Sequence, residues 1–124
     1  MSVLEELGLP PLPEALPRPV IDNHTHVYST RDHSGLSVAD NLWFAGEVGV
    51  TRIIDVGCDV ESARLAVELA ASDPQVRAAV ALHPNDAARR FLAGGERALE
   101  DDLAEIEVLV DDPGVVEPDA DDEF

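Results

Sequence analysis

The sequence predicts an α/β fold built on a parallel sheet, and two observations lead there. Short apolar runs rich in β-branched residues alternate with segments of helical period, and from Pro19 onward the order reads βαβαβα followed by the strand-like pair Val115-Val116. Alternation of this kind joins parallel strands through right-handed helical crossovers. Three units cannot close a (β/α)8 barrel, which takes about 250 residues. The 124 residues therefore form either a small open sheet or the opening part of a barrel, within one domain of ordinary size.

The first 18 residues are a leader arm. Pro10, Pro11, Pro13 and Pro17, with Pro19 at its end, favour extended chain and forbid a long helix. Val20 to Val27 reads as the first strand. Ser37 to Val48 reads as a helix entered through Ser37, with Asp40 three residues on, and left at Gly49. Thr51 to Gly57 (TRIIDVG) is a β-branched run that reads as a buried second strand. Asp59 caps the next helix, on which Val60, Ala63, Val67 and Ala70 share a face with Leu65 and Leu69 beside them, and Asp73-Pro74 stops it. Val76 to Leu82 makes a third strand, broken at His83-Pro84. Past Gly94-Gly95, Leu99, Leu103, Ile106 and Val110 recur at helical spacing over residues 96–110, and Pro113-Gly114 closes that helix. Residues 19–116 thus form the βα region, and residues 117–124 an acidic tail.

Composition narrows the function classes. Against 26 Asp and Glu stand 8 basic residues, all Arg, for a net charge of −18. A surface this acidic repels polyanions at long range and excludes a non-specific nucleic-acid coat, although a bound cation can reverse the field within one cleft. Half of the acid, 13 residues, lies in residues 91–124 against the single Arg97. The lone Cys58 excludes an internal disulfide and fits a reducing cytoplasm. No apolar stretch approaches the ~20 residues of a membrane span, so a cytoplasmic protein without membrane contact is expected.

Chemistry concentrates at Asp22-Asn23-His24-Thr25-His26. In a strand, His24 and His26 project from one face about 6 to 7 Å apart at the backbone, close enough to grip one divalent ion. Asp22 shares that face and either orients a ring as a carboxylate partner or hydrogen-bonds to local backbone. Two histidines in a polar loop would give the same letters, but the apolar strand leading in favours the metal. His83-Pro84-Asn85-Asp86 follows the third strand, and parallel α/β folds place ligand sites at the C-terminal ends of their strands. There His83 or Asn85 would donate to an anionic substrate oxygen, or the segment is a turn with Asn85 or Asp86 as a cap. Asp59 reads as a cap, Cys58 as a small buried residue, His33 as solvated in the polar loop Ser29 to Ser34, and Trp43 and Phe44 as core. No Gly-rich phosphate loop and no serine-nucleophile motif is present.

Taken together, IDNHTH after the first strand, GVTRIIDVGCDVESARLAVELA across the second unit and VALHPND after the third resemble the N-terminal part of the TatD family of metal-dependent deoxyribonucleases, over roughly residues 19 to 112. The resemblance implies a partial (β/α)8 TIM barrel of the metal-dependent hydrolase type, about its first three βα units. It also implies a divalent metal ion (Mg, Mn or Zn) and DNA or another phosphodiester as substrate. By position His24 and His26 look like the family's HxH metal ligands, and His83 like the first His of its HPH signature, in the substrate-facing region. Asn85 stands where the second His of that signature would be. The family's next strand carries a Glu ligand within GE-x-GLD; here residues 117–124 (EPDADDEF) do not continue that pattern.

A shortened product is therefore expected, from a truncated gene, a frameshift or a fragment, with poor or no catalysis because two imidazoles alone hold a metal weakly. Alternatives are a catalytically inactive remnant of the same ancestry, a phosphoesterase of the polymerase-and-histidinol-phosphatase type, which also opens with an HxH strand, and an α/β binding module that uses the acidic tail.

Overall fold

A computed structural model describes residues 2–116. In chain order the elements are α1 (Val3–Glu6), β1 (Val20–Thr25), α2 (Val27–Ser34), α3 (Val38–Glu47), β2 (Val50–Val56), α4 (Val60–Ser72), β3 (Val76–Ala79) and α5 (Pro84–Val110). The strands form one parallel sheet in the order β1-β2-β3, as the alternating pattern requires. The chain divides into two compact units between Ile53 and Ile54, inside β2. The expected acidic tail, residues 117–124, lies outside the described residues.

In the first unit the leader begins with one short helix. Ser2 Oγ accepts from Glu5 N at 3.2 Å while Ser2 N donates to Glu5 Oε2 at 3.3 Å, a reciprocal cap that closes the four-residue α1. Beyond it the prolines keep the chain out of helix until β1, and Leu16 N donates to Val48 O at 2.9 Å, which ties the arm to the end of α3. Ser37 Oγ accepts from Asp40 N at 3.1 Å, so α3 starts where its cap residue directs. Val27, Leu36 and Ile53 are the buried apolar side chains of this unit.

The second unit is packed by small residues. Ala63, Ala66 and Ala78 are fully buried, which lets α4 approach β3 closely, and Val67, Val76, Ile106 and Val115 complete the core. Each such valine or isoleucine contributes about 1.5–3 kcal/mol by leaving water. The helix α4 opens on a capping box: Asp59 Oδ1 accepts from Ser62 N at 2.8 Å, and Ser62 Oγ accepts from Asp59 N at 3.0 Å and from Cys58 N at 2.9 Å. Asp59→Ala is expected to cost about 1 kcal/mol, the usual worth of an N-cap; urea denaturation with an unchanged slope and a lowered midpoint would show it, and an unchanged midpoint would deny the cap its role. After α5, Ala78 N donates to Gly114 O and Val116 N to Ala78 O, both at 2.8 Å, so Val115 begins a fourth parallel strand beside β3.

Several expectations need correction. The first strand ends at Thr25 rather than Val27, because His26 turns the chain (φ −133°, ψ 72°) and becomes the N-cap residue of α2. Residues 29–34 are helix, not a polar loop. Only Val27 of α2 is buried, so no apolar period marked it; side-chain hydroxyls hold it instead, Thr30 Oγ1 donating to His26 O at 3.2 Å and Ser34 Oγ to Thr30 O at 2.6 Å. The third strand stops at Ala79, where Ala79 O takes the last bond from Gly57 N before the chain leaves the ladder. Residues 84–94 are already helical, and α5 runs on to Val110 across a break at Gly95. There φ is 76° and ψ −171°, a region open in practice only to glycine. Trp43 is 65% exposed rather than core, and of the apolar series on the last helix only Ile106 is buried. Among the described residues no helix is long and apolar enough to cross a membrane.

Candidate metal centre

His24 is the fifth residue of β1 and His26 the first beyond it. Strand alternation carries both side chains to one side, and their rings stand 5.1 Å apart between centroids at an interplanar angle of 77°. Two imidazoles sharing one ion through bonds of ~2.1 Å hold their ring centres roughly 4.5 to 5.3 Å apart for angles from square to tetrahedral. The observed spacing falls in that range, so the pair fits a shared cation without rebuilding the strand end. Asp22 takes the second of its two expected roles: its Oδ1 accepts from His24 N at 3.2 Å, which stiffens the backbone beneath the first ring. Among the described residues no three His, Cys, Asp or Glu side chains are grouped to hold an ion, so this strand offers two nitrogen donors and no more.

Both rings border a cavity of about 820 Å³ in the first unit. Its polar side includes Asp22, Thr30, His33 and Asn41, and its apolar side Leu42, Val48 and Ile53. His33 enters this setting because residues 29–34 are helical. Sequence reasoning left it as a solvated loop residue, and the signal that marks it is its place seven positions past His26, two helical turns along α2.

His83 belongs to the second unit. It is the N-cap residue of α5, with Pro84 at the first helical position, and its Nδ1 accepts from Asn85 N at 3.1 Å while its own N donates to Cys58 O at 2.7 Å. A backbone N–H only donates, so Nδ1 is unprotonated and in the neutral ring Nε2 carries the hydrogen. That tautomer presents a donor, the polarity needed toward an anionic oxygen. Capping and donation, set out as alternatives for this segment, are compatible in one side chain.

Around Cys58 the field is negative. Burial pushes its thiol above the ordinary value, and the carboxylates of Asp86, Asp59 and Asp55 push it further. Asp55, 3% exposed within β2, was legible only as an acid inside a β-branched run. Since the folded chain holds the thiol proton more tightly than the unfolded chain, this thiol's contribution to stability is present below the ordinary thiol pKa and is lost as pH rises through the raised one. Alkylation of Cys58, the single thiol, is accordingly expected to lag that of the urea-unfolded chain at mildly alkaline pH, with the gap narrowed by Asp86→Asn. Equal alkylation profiles would remove the negative field.

Comparison with known proteins matches residues 21–117 to the family described as TatD related DNase. An uncharacterized metal-dependent hydrolase TatD from Mycobacterium tuberculosis (strain ATCC 25618 / H37Rv) is 38% identical over 98 residues, which cover 78% of this chain and 34% of that protein. The chain thus spans about a third of the length of this curated relative. Because the matched segment takes in every strand of the sheet and the helices between them, the chain belongs to the TatD related DNase family and its three strand-helix units are a partial (β/α)8 barrel.

Proposed function

We propose that this chain carries the histidine pair of a TatD-type metal-dependent hydrolase of the cytoplasm, acting on phosphodiester bonds in DNA. The observation that carries the reading is the 5.1 Å spacing of His24 and His26 at the C-terminal end of β1, joined to the family match. His24 and His26 would hold a divalent ion (Mg, Mn or Zn), which supplies Lewis-acid stabilisation of the charge that builds on phosphoryl oxygens. Asp22 fixes the backbone under the first of these ligands. His83, in the tautomer set by Asn85 N, would donate from Nε2 to a non-bridging phosphate oxygen.

The experiment is cleavage of single- and double-stranded DNA by the purified chain with Mg²⁺, Mn²⁺ or Zn²⁺, run beside His24→Ala. Cleavage that the substitution removes supports a hydrolase in this chain. The gathering of only two metal donors among the described residues favours a second reading, in which the chain binds the ion and substrate but turns over little or nothing. Metal-dependent DNA binding without cleavage, again lost in His24→Ala, would select it.

A further inference from the structure

The cavity beside the histidine pair is larger and more apolar on one side than an ion needs. At about 820 Å³ it lies within the ~300–1,000 Å³ typical of small-molecule sites. Its lining joins Leu42, Val48 and Ile53 to two polar groups that the metal reading leaves unused, His33 and Asn41. The state of His33 is fixed by its own helix. Its Nδ1 lies 2.7 Å from Ser29 O, and a carbonyl only accepts, so Nδ1 carries the hydrogen. Ser29 Oγ, 3.4 Å from the same nitrogen, accommodates that assignment by accepting. In the neutral ring Nε2 is then a hydrogen-bond acceptor, the opposite polarity to His83.

An apolar wall, one acceptor held in a set tautomer and one amide suit a flat heteroaromatic ring with N–H groups on its edge. We infer that this cavity is a nucleoside subsite: the base rests on Leu42, Val48 and Ile53, a base N–H donates to His33 Nε2, and Asn41 pairs with a second polar atom of the base edge. The inference rests on the reading of the chain as acting on nucleic acid and adds the place where one nucleoside sits. Adjacency to His24 and His26 in the same cavity would bring the attached phosphate to the metal pair.

The test is an NMR titration of the full chain with thymidine in the presence of a chelator, so that its outcome is independent of metal binding. Thymidine is expected to shift the ring resonances of His33, the amide of Asn41 and the methyls of Leu42 and Val48. N3-methylthymidine, which lacks the donor, is expected to bind about three- to tenfold more weakly, the worth of one hydrogen bond. His33→Phe should weaken thymidine by a similar factor and erase the difference between the two nucleosides, and Leu42→Trp, which fills the cavity, should abolish binding. The inference is overturned if thymidine leaves these resonances unmoved at millimolar concentration, or if the parent chain binds both nucleosides equally. Failure here with metal binding intact removes the subsite alone, whereas thymidine binding with no metal uptake leaves the subsite and removes the metal centre.

Discussion

Gly57→Ala is expected to destabilise the chain by about 3 kcal/mol, the upper part of the range for overpacking, and to lower its melting temperature by roughly 10 °C. A Cβ at this position would lie 2.5 Å from Ala63 Cα, 2.7 Å from Ala63 N and 2.9 Å from Ala63 Cβ. None of these atoms belongs to a flexible side chain, so relief requires α4 to retreat from the end of β2. That retreat would open the packing of Ala63 and Ala66, both fully buried, and strain the bond from Gly57 N to Ala79 O that joins β2 to β3. Gly46→Ala is the control: nothing lies within 4 Å of its added Cβ, and in α3 the change should stabilise by about 0.5–1 kcal/mol. Thermal melts followed by circular dichroism would separate the two, and equal melting temperatures would show that α4 does not press on Gly57.

His24→Ala and His26→Ala are each expected to reduce affinity for Zn²⁺ or Mn²⁺ about 100-fold or more. Loss of an outer-shell partner already costs roughly 10–100-fold, and removing one of two direct donors abolishes the chelate itself. His33→Ala and His83→Ala should change affinity less than about twofold, because neither ring belongs to the 5.1 Å pair and metal affinity follows ligand identity and count. Calorimetric titration of the four variants gives the ranking directly. A drop in the His83 variant equal to that in His24 would move the centre away from β1.

Much of the fold was readable because its elements announce themselves by different physics. The β-branched run of β2 and the caps Ser37 and Asp59 gave elements whose ends agree with the sequence reading to within a residue, since each is set by local hydrogen bonding that the residue types alone dictate. The helix over residues 27–34 was hidden because it buries only Val27 and is held by hydroxyl-to-backbone bonds, which leave no apolar period. The helix opening at Pro84 was hidden for a related reason: Phe91 and Leu92 are exposed, so its markers are Pro84 at the first position and the Asp86–Arg89 pair at 3.1 Å rather than a buried face.

For the site, the spacing of His24 and His26 foretold rings on one side, but that His26 sits outside the strand and starts a helix followed only from the backbone turn at that residue. His33 shows the limit most clearly. A polar residue in a polar run carries no sign of the cavity it lines until the run is known to be helical.

The central claim, that the two imidazoles at the end of β1 share one cation, is tested most directly by titrating the isotope-labelled chain with Mn²⁺ and following the ring resonances of all four histidines. The account predicts that His24 and His26 broaden together at the lowest Mn²⁺ concentration, while His83 stays sharp. Broadening that begins at His83 or at the carboxylate-rich segments, with His24 and His26 unaffected, would contradict it.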